Sequence, residues 1–309
     1  MSIITPVTRK TRSNAKKKDL QMKPLSRPTT RLIKRVLIIL FRASKDIYQR
    51  FRFGSSHQKT IVYIIGCQRS GTTLLRRIFE LDSTSKGYGE QSKLTSNDVQ
   101  KKIRLNPLGS VKKVIDNDSA YLIILKPLVE TQNSLKLLDY FENSKALWLY
   151  RHYKDVALSN LTRFGVENGI NNLRPIFDGK PHHWKSENVP ENVRKIVLEH
   201  FSEAMNPNDA AALFWFVRNS FFFELKFDRN PNVIILKYEN FVTNPIRNMK
   251  NIYSLIGHNY PGDRIVIGVH SASVGKGKSI ELSPEIDLLC KKLLEKLDKV
   301  YQTRDYYVE

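Results

Sequence analysis

Residues 61–80 read IVYIIGCQRSGTTLLRRIFE, and this stretch decides the fold class. Residues 61–65 are apolar without a break and mostly β-branched or aromatic. Such a run lacks the alternation of a half-exposed strand, so it predicts a strand buried on both faces, as in a parallel sheet. Residues 66–71 are bounded by Gly66 and Gly71 and predict a tight turn. From Thr72 onward, Leu74, Leu75, Ile78 and Phe79 recur at helical spacing, which predicts a helix over 72–81. Strand, glycine-bounded turn and helix N-terminus together make an anion site. Unpaired backbone N–H groups converge there, and the helix dipole adds positive potential. The spacing G-x-x-x-x-G-x-T is that of a phosphate-binding loop, but Thr72 stands where that motif has a Lys. The nearest cation is Arg69, inside the loop and followed by Ser70.

Working outward, apolar runs and helical patterns alternate as in an α/β protein. Residues 121–125 (YLIIL), 146–150 (ALWLY) and 232–236 (NVIIL) predict three more buried strands. Helices are predicted over 134–141, 153–164, 210–225 and 246–255. The 210–225 segment is apolar nearly all round, which predicts a buried helix, with Asp209 as its N-cap. Ser283 followed by Pro284 starts a last helix, lined on one side by Ile286, Leu289, Leu293, Leu294 and Leu297. The Lys-rich stretch 92–114 predicts helix and loop, and residues 165–190, rich in Gly, Pro, Asn and His, predict a long loop. The fold class is therefore α/β, a three-layer arrangement with a central, mainly parallel sheet flanked by helices.

The 309 residues suit one large domain with an appendage. The formal charge of +21 is unevenly spread: residues 1–56 hold 15 Lys/Arg against 2 Asp/Glu, a formal +13, and the rest carry +8. This sets a basic N-terminal tail (1–56) apart from a globular body (57–309). Residues 1–30 have the composition of a disordered segment. Over 31–53, Ile33, Val36, Leu37, Leu40, Ile47, Tyr48 and Phe51 share one helical face, ringed by Arg31, Lys34, Arg35, Arg42, Lys45 and Arg50. That helix suits either an anionic membrane surface or packing on the body. The longest apolar run there, 36–41, falls far short of the ~20 residues of a spanning helix. The start lacks the apolar core of a secretory signal. Two distant cysteines, Cys67 and Cys290, give no disulfide framework or thiolate metal site. The expected location is cytoplasmic, with peripheral membrane contact open.

In an open parallel sheet, ligands bind beyond the carboxyl ends of the strands. Arg69, Lys126, Arg151 and Tyr238 each follow a predicted strand, so three cations and a hydroxyl converge on one crevice. That crevice suits a ligand with more than one anionic group. At this point the residues resemble a known family. GCQRSGTTLL (66–75) resembles the 5′-phosphosulfate loop of the sulfotransferases, and WLYRHYKDVALSNLTR (148–163) their 3′-phosphate motif. LKYENFVTNP (236–245) is similar to the segment after a late strand in that family, and SASVGKGKSIELSPEI (271–286) to the loop that closes over the nucleotide. The resemblance runs from about residue 60 to the C-terminus, closer to Golgi, tyrosyl-protein and bacterial members than to cytosolic small-molecule ones.

The resemblance implies sulfuryl transfer from 3′-phosphoadenosine 5′-phosphosulfate (PAPS) to a hydroxyl of a glycan or another larger acceptor. It implies that Arg69, Ser70, Gly71, Thr72 and Thr73 hold the 5′-phosphosulfate. Arg151 and Ser159 would hold the 3′-phosphate with help from Arg163, and Tyr238 and Ser273 would contact the donor. Lys126 would lie near the transferring group. No metal is expected, because fixed cations can balance a sulfuryl group, which is less negative than a phosphoryl group. The His that cytosolic relatives use as base is missing from KPLVETQN (126–133). Glu90, in GYGEQSKL (87–94), is the candidate base, with Gln91 as a register alternative that cannot take a proton. His182, His183 and Trp184 border an acceptor pocket or pack a loop, since adjacent histidines point apart. The acceptor is expected on segments 92–118 and 165–200. A kinase is disfavoured by the missing Lys. The competing reading is an inactive sulfotransferase-like basic module that binds a membrane surface or nucleic acid, although no specific nucleic-acid motif is present.

Overall fold

The computed structural model describes residues 27–95 and 103–304, with side chains from residue 36 onward. In chain order the elements begin α1 (Arg27–Phe53), β1 (Thr60–Gly66), α2 (Thr72–Glu80), β2 (Ser85–Tyr88), α3 (Leu108–Asp116), β3 (Leu122–Leu125), α4 (Ser134–Tyr140) and β4 (Ser144–Tyr150). They continue with α5 (Tyr153–Phe164), α6 (Asn168–Phe177), α7 (Glu191–His200), α8 (Pro207–Glu224), β5 (Val233–Lys237), α9 (Tyr238–Thr243), α10 (Pro245–Leu255) and α11 (Pro284–Thr303). The described chain divides after Ser44, so the last turns of α1, from Lys45, belong to the large second unit. Residues 1–26 of the segment expected to be disordered lie outside the described residues. Residues 27–30 form the first turn of α1.

The five strands pair in the order β2-β3-β1-β4-β5, all parallel. β1 is central, and its seven residues are all buried, as the unbroken apolar run demands. Because strand side chains alternate, each strand feeds two separate cores. Tyr63, Ile65, Trp148, Tyr150 and Ile235 point to one face and pack with Phe214, Trp215 and Phe222 of α8 and Leu293 and Leu297 of α11. Val62, Ile64, Leu147, Leu149 and Ile234 point to the other, where Leu75 and Phe79 of α2 and Met249 and Tyr253 of α10 cover them. Helices on both faces of one parallel sheet make the three layers. Among the described residues, no helix is long and apolar enough to cross a membrane.

Four expectations change. The long loop over 165–190 is interrupted by α6, which a Pro175 inside the helix and three Asn had masked. Its spacing of buried residues is helical: Gly169, Ile170, Leu173 and Ile176. Gly169 explains the helix's position, since a Cβ there would come within 2.6 Å of the Ala211 amide nitrogen of α8. The N-cap of α8 is Asn206, whose side chain accepts from the Asn208 amide at 2.8 Å, and Pro207 takes the first helical position. Asp209 instead accepts from the Ser283 amide at 2.9 Å and ties the start of α11 to α8. The edge strand β2, SKGY, escaped prediction because it has almost no apolar content. The segments expected to carry the acceptor include α3, α6 and α7 as well as loops, and residues 96–102 of the first lie outside the described residues.

The α6–α8 contact predicts the cost of a single methyl group. Gly169→Ala should force the two backbones apart and destabilise the protein by about 1–3 kcal/mol. A urea unfolding curve with a lowered midpoint and unchanged slope is the expected readout.

Candidate active site

The turn after β1 is built around two glycines with left-handed backbone. Gly66 (φ 123) lies so close to β4 that a Cβ would sit 2.6 Å from the Leu149 carbonyl oxygen. Gly71 (φ 96) caps α2, and the Tyr238 ring covers it: a Cβ would come within 2.4 Å of a ring carbon. Between them Arg69 also takes a left-handed φ of 69, a strain of roughly 1 kcal/mol or more for a residue with a side chain. Thr72 is buried and Thr73 exposed at the first turn of α2, whose leading N–H groups have no helical partner.

Register brings the other strand ends alongside. Gly66 of β1 is level with Leu149 of β4, and Tyr150 of β4 with Lys237 of β5. The next residues, Arg151 and Tyr238, are thereby neighbours, and the Arg151 guanidinium lies 4.6 Å from the Tyr238 ring centroid. Arg151 is buried and is bonded by Asp155 (3.2 Å), by the Ser273 carbonyl and, at 3.5 Å, by the Arg69 carbonyl. The indole of Trp215 donates to the Arg151 carbonyl at 2.9 Å and fixes the backbone there. Arg69 donates from Nε to the Ser159 hydroxyl at 3.1 Å. Tyr238 and Ser273 share a hydroxyl–hydroxyl hydrogen bond of 2.7 Å. Arg69, Ser159, Arg151, Tyr238 and Ser273 therefore form one connected cluster. Arg163 is exposed at the rim of α5.

The cluster is cationic and short of anions. The Arg69 guanidinium is pushed below its ordinary value, by burial first and then by repulsion from Arg163 and Arg151. No carboxylate pairs with Arg69 among the described residues. Two buried polar atoms also lack a partner there: Ser70 Oγ and Arg151 Nε. Buried polar atoms are ordinarily hydrogen-bonded, so these two retain capacity to bond a ligand. A guanidinium with no carboxylate, an unsatisfied hydroxyl in the turn and an open helix N-terminus are the complement of a phosphate-type anion.

Lys126 and Glu90 form a second group along the same edge. Lys126 follows β3, is buried, and its Nζ lies 2.6 Å from Glu90 Oε2. Glu90 follows β2, so the strand that sequence reading missed is the one that places it. Gln91 is exposed and forms no part of this pairing. No hydrogen bond joins this pair to the arginine cluster among the described residues. A small cavity bounded by Glu90 and Lys126 shares Leu105 with an open cleft of about 810 Å³ lined by Arg104, His182, His183, Trp184 and Glu187. Arg104 is held between Glu130 (2.7 Å) and Glu187 (2.6 Å). Among the described residues, no three His, Cys, Asp or Glu side chains are grouped to hold a metal ion.

The family described as Sulfotransferase domain matches residues 59–296, more than three quarters of the chain. The chain belongs to the sulfotransferase family. Among solved structures, the sulfotransferase domain of the Synechococcus olefin synthase shares 17% identity over 78% of this chain and 96% of its own, with a TM-score of 0.46. A sulfotransferase from Alicyclobacillus acidocaldarius shares 12% identity over 80% of this chain and 97% of its own, with a TM-score of 0.46. A mouse sulfotransferase complexed with PAP shares 13% over 81% and 90%, with a TM-score of 0.40. No curated protein sequence matches. Membership rests on the domain match, and the fold on the sheet described above.

Sequence reading missed Asp155, which organises this sulfotransferase's arginine cluster. Its carboxylate bonds Arg151 and accepts from the amides of Gly275 (2.8 Å) and Gly277 (2.6 Å), pinning the 273–277 segment over the cluster. The approach is tight: a Cβ on Gly277 would meet the Lys154 carbonyl carbon at 2.2 Å. The i, i+4 spacing of Arg151 and Asp155 was a usable signal. Asp155→Ala should leave Arg151 buried without its counter-ion and cost about 3–5 kcal/mol. Limited proteolysis should then cut near 273–277 faster than in the wild type.

Proposed function

We propose that the protein binds PAPS across the arginine cluster and transfers its sulfuryl group to a hydroxyl of a glycan or other large acceptor seated in the Trp184 cleft. The observation that carries this reading is the uncompensated charge and the orphaned Ser70 and Arg151 atoms at one crevice. Arg69, Ser70, Gly71, Thr72 and Thr73 serve the 5′ side, where the turn and the α2 N-terminus supply donors. Arg151 and Ser159 serve the 3′-phosphate, with Arg163 at the rim, and Tyr238 and Ser273 close that side. A ligand with two separated anionic ends fits two arginines that follow neighbouring strands better than one phosphate chain would.

In the reaction Glu90 takes the proton of the acceptor hydroxyl as its oxygen bonds to sulfur. The bond from sulfur to the 5′-phosphate oxygen breaks, leaving a sulfate ester and adenosine 3′,5′-bisphosphate. Lys126, 2.6 Å from Glu90, orients that carboxylate and supplies positive charge beside the transferring group. Arg69 and the turn amides balance the charge that gathers on the departing phosphate. Catalysis of this kind is mostly positioning and charge stabilisation.

The cleft supports a carbohydrate acceptor. Trp184 is the half-buried aromatic wall, an apolar face bordered by polar groups. His183 is pushed below its ordinary value by burial and by Lys185 and Lys180. Its Nδ1 accepts from the Lys185 amide at 3.2 Å, so a neutral ring presents Nε2–H as a donor.

PAPS or adenosine 3′,5′-bisphosphate at a hundredfold over its Kd should stabilise the protein by about 2.7 kcal/mol, read as a raised Tm. Arg151→Ala should lose most of that shift. A wild type stabilised by DNA and by neither nucleotide would instead favour the inert basic module. Glu90→Gln should keep the nucleotide-induced shift while turnover falls by about 10²–10⁴-fold; normal turnover would place the base elsewhere. Trp184→Ala should raise KM for an oligosaccharide acceptor by roughly tenfold, the scale of one aromatic contact, with the nucleotide shift intact.

A further inference from the structure

The last turns of α1 are mounted the wrong way round for a soluble protein. A surface helix ordinarily turns its apolar stripe to the core and its polar side to water. Here the buried residues are Lys45 and Gln49, one turn apart. Lys45 donates to the Glu80 carbonyl at 2.6 Å, and Gln49 donates to the carbonyls of Ser83 (2.7 Å) and Ser85 (2.9 Å). The opposite side carries Ile47, Tyr48 and Phe51, exposed by 55%, 47% and 90%. Tyr48 touches Phe53 edge-on, but Phe51 stands almost free of the protein. Taken by itself, the preceding stretch of the helix is also uncovered: Val36, Leu37, Ile38, Ile39, Leu40 and Phe41 are all exposed. The exposed apolar face of Ile47, Tyr48 and Phe51 by itself marks an interaction surface.

The charge around it selects the partner. Arg42, Arg50 and Arg52 are exposed on the same helix, within a segment of 15 Lys/Arg against 2 Asp/Glu. A second copy would bring the same positive charge against itself. A bilayer rich in anionic lipid offers an apolar phase for Phe51 and its neighbours and negative headgroups for the arginines. We propose that α1 is a membrane-docking helix that seats the protein on an anionic lipid bilayer, with Ile47, Tyr48 and Phe51 inserted at the headgroup–acyl boundary. This site is separate from the arginine cluster and does not depend on the reaction assigned to it.

The test is co-flotation of the full-length protein with vesicles of phosphatidylcholine alone or with about a third phosphatidylglycerol, in low and high salt. Binding should favour the anionic vesicles and weaken as salt screens the arginines. The double variant Ile47→Glu/Phe51→Glu should lower the bound fraction at least about tenfold, given the cost of placing carboxylates in the acyl region. Its circular dichroism and Tm should match the wild type, because neither side chain packs in the core. Failure of the wild type to float with anionic vesicles overturns the proposal. So does a wild-type dimer in solution that the double variant turns into a monomer, since a second copy would then cover the face. Retained nucleotide stabilisation alongside either result would show the catalytic reading standing while the membrane proposal falls.

Discussion

The ion pair of Arg151 with Asp155 is the constraint around which the arginine cluster is arranged. Both groups are buried, and a buried charge is tolerable only when it is paired. Asp155 supplies that pair for Arg151, whose Nε stays unpartnered, and has capacity left for two backbone amides of the 273–277 segment. One carboxylate thus holds a cation in position and closes the chain over it. Arg69 receives no such compensation, and the potential of the crevice stays positive. The two arginines therefore differ: Arg151 is oriented by a counter-ion, and Arg69 has no carboxylate partner among the described residues.

That arrangement needs a sheet whose strands all end on one side. The parallel order β2-β3-β1-β4-β5 delivers Glu90, Lys126, Arg69, Arg151 and Tyr238 to a single edge from five different strands. The two cores make those ends rigid. Trp148, Tyr150 and Trp215 on one face and Leu149 and Phe79 on the other are all fully buried, so the residues that follow them have little room to move. The glycines at 66 and 71 are the points where this packing is closest, one against β4 and one against the Tyr238 ring.

Much of this was legible in the sequence because the informative segments carry strong patterns. Four apolar runs announced β1, β3, β4 and β5, and a site candidate followed each run within four residues. The segment 153–164 matched α5 residue for residue. Legibility failed where structure depends on partners instead of local pattern. β2 is polar and exists because β3 pairs with it, so Glu90 could be placed only by likeness to a motif. α6 contains Pro and several Asn, and its helix is stabilised by the close approach of Gly169 to α8. Asp209 has the chemistry of a cap, yet a distant amide at Ser283 claimed it. Asp155 showed its spacing from Arg151, but its grip on a segment 120 residues away is a property of the folded chain.

The inverted mounting of α1 has a bearing on how such a protein can change over time. Lys45 and Gln49 grip carbonyl groups where the chain enters β2, at the amino ends of the strands, while Glu90, Lys126, Arg151 and Tyr238 stand at their carboxyl ends. The seven residues of β1 span roughly 20 Å between those rims. An appendage fastened at the near rim can be lengthened, recharged or exchanged without disturbing chemistry performed at the far one. The fastening of α1 and the arginine cluster therefore stand at opposite ends of the sheet, and selection can edit either alone.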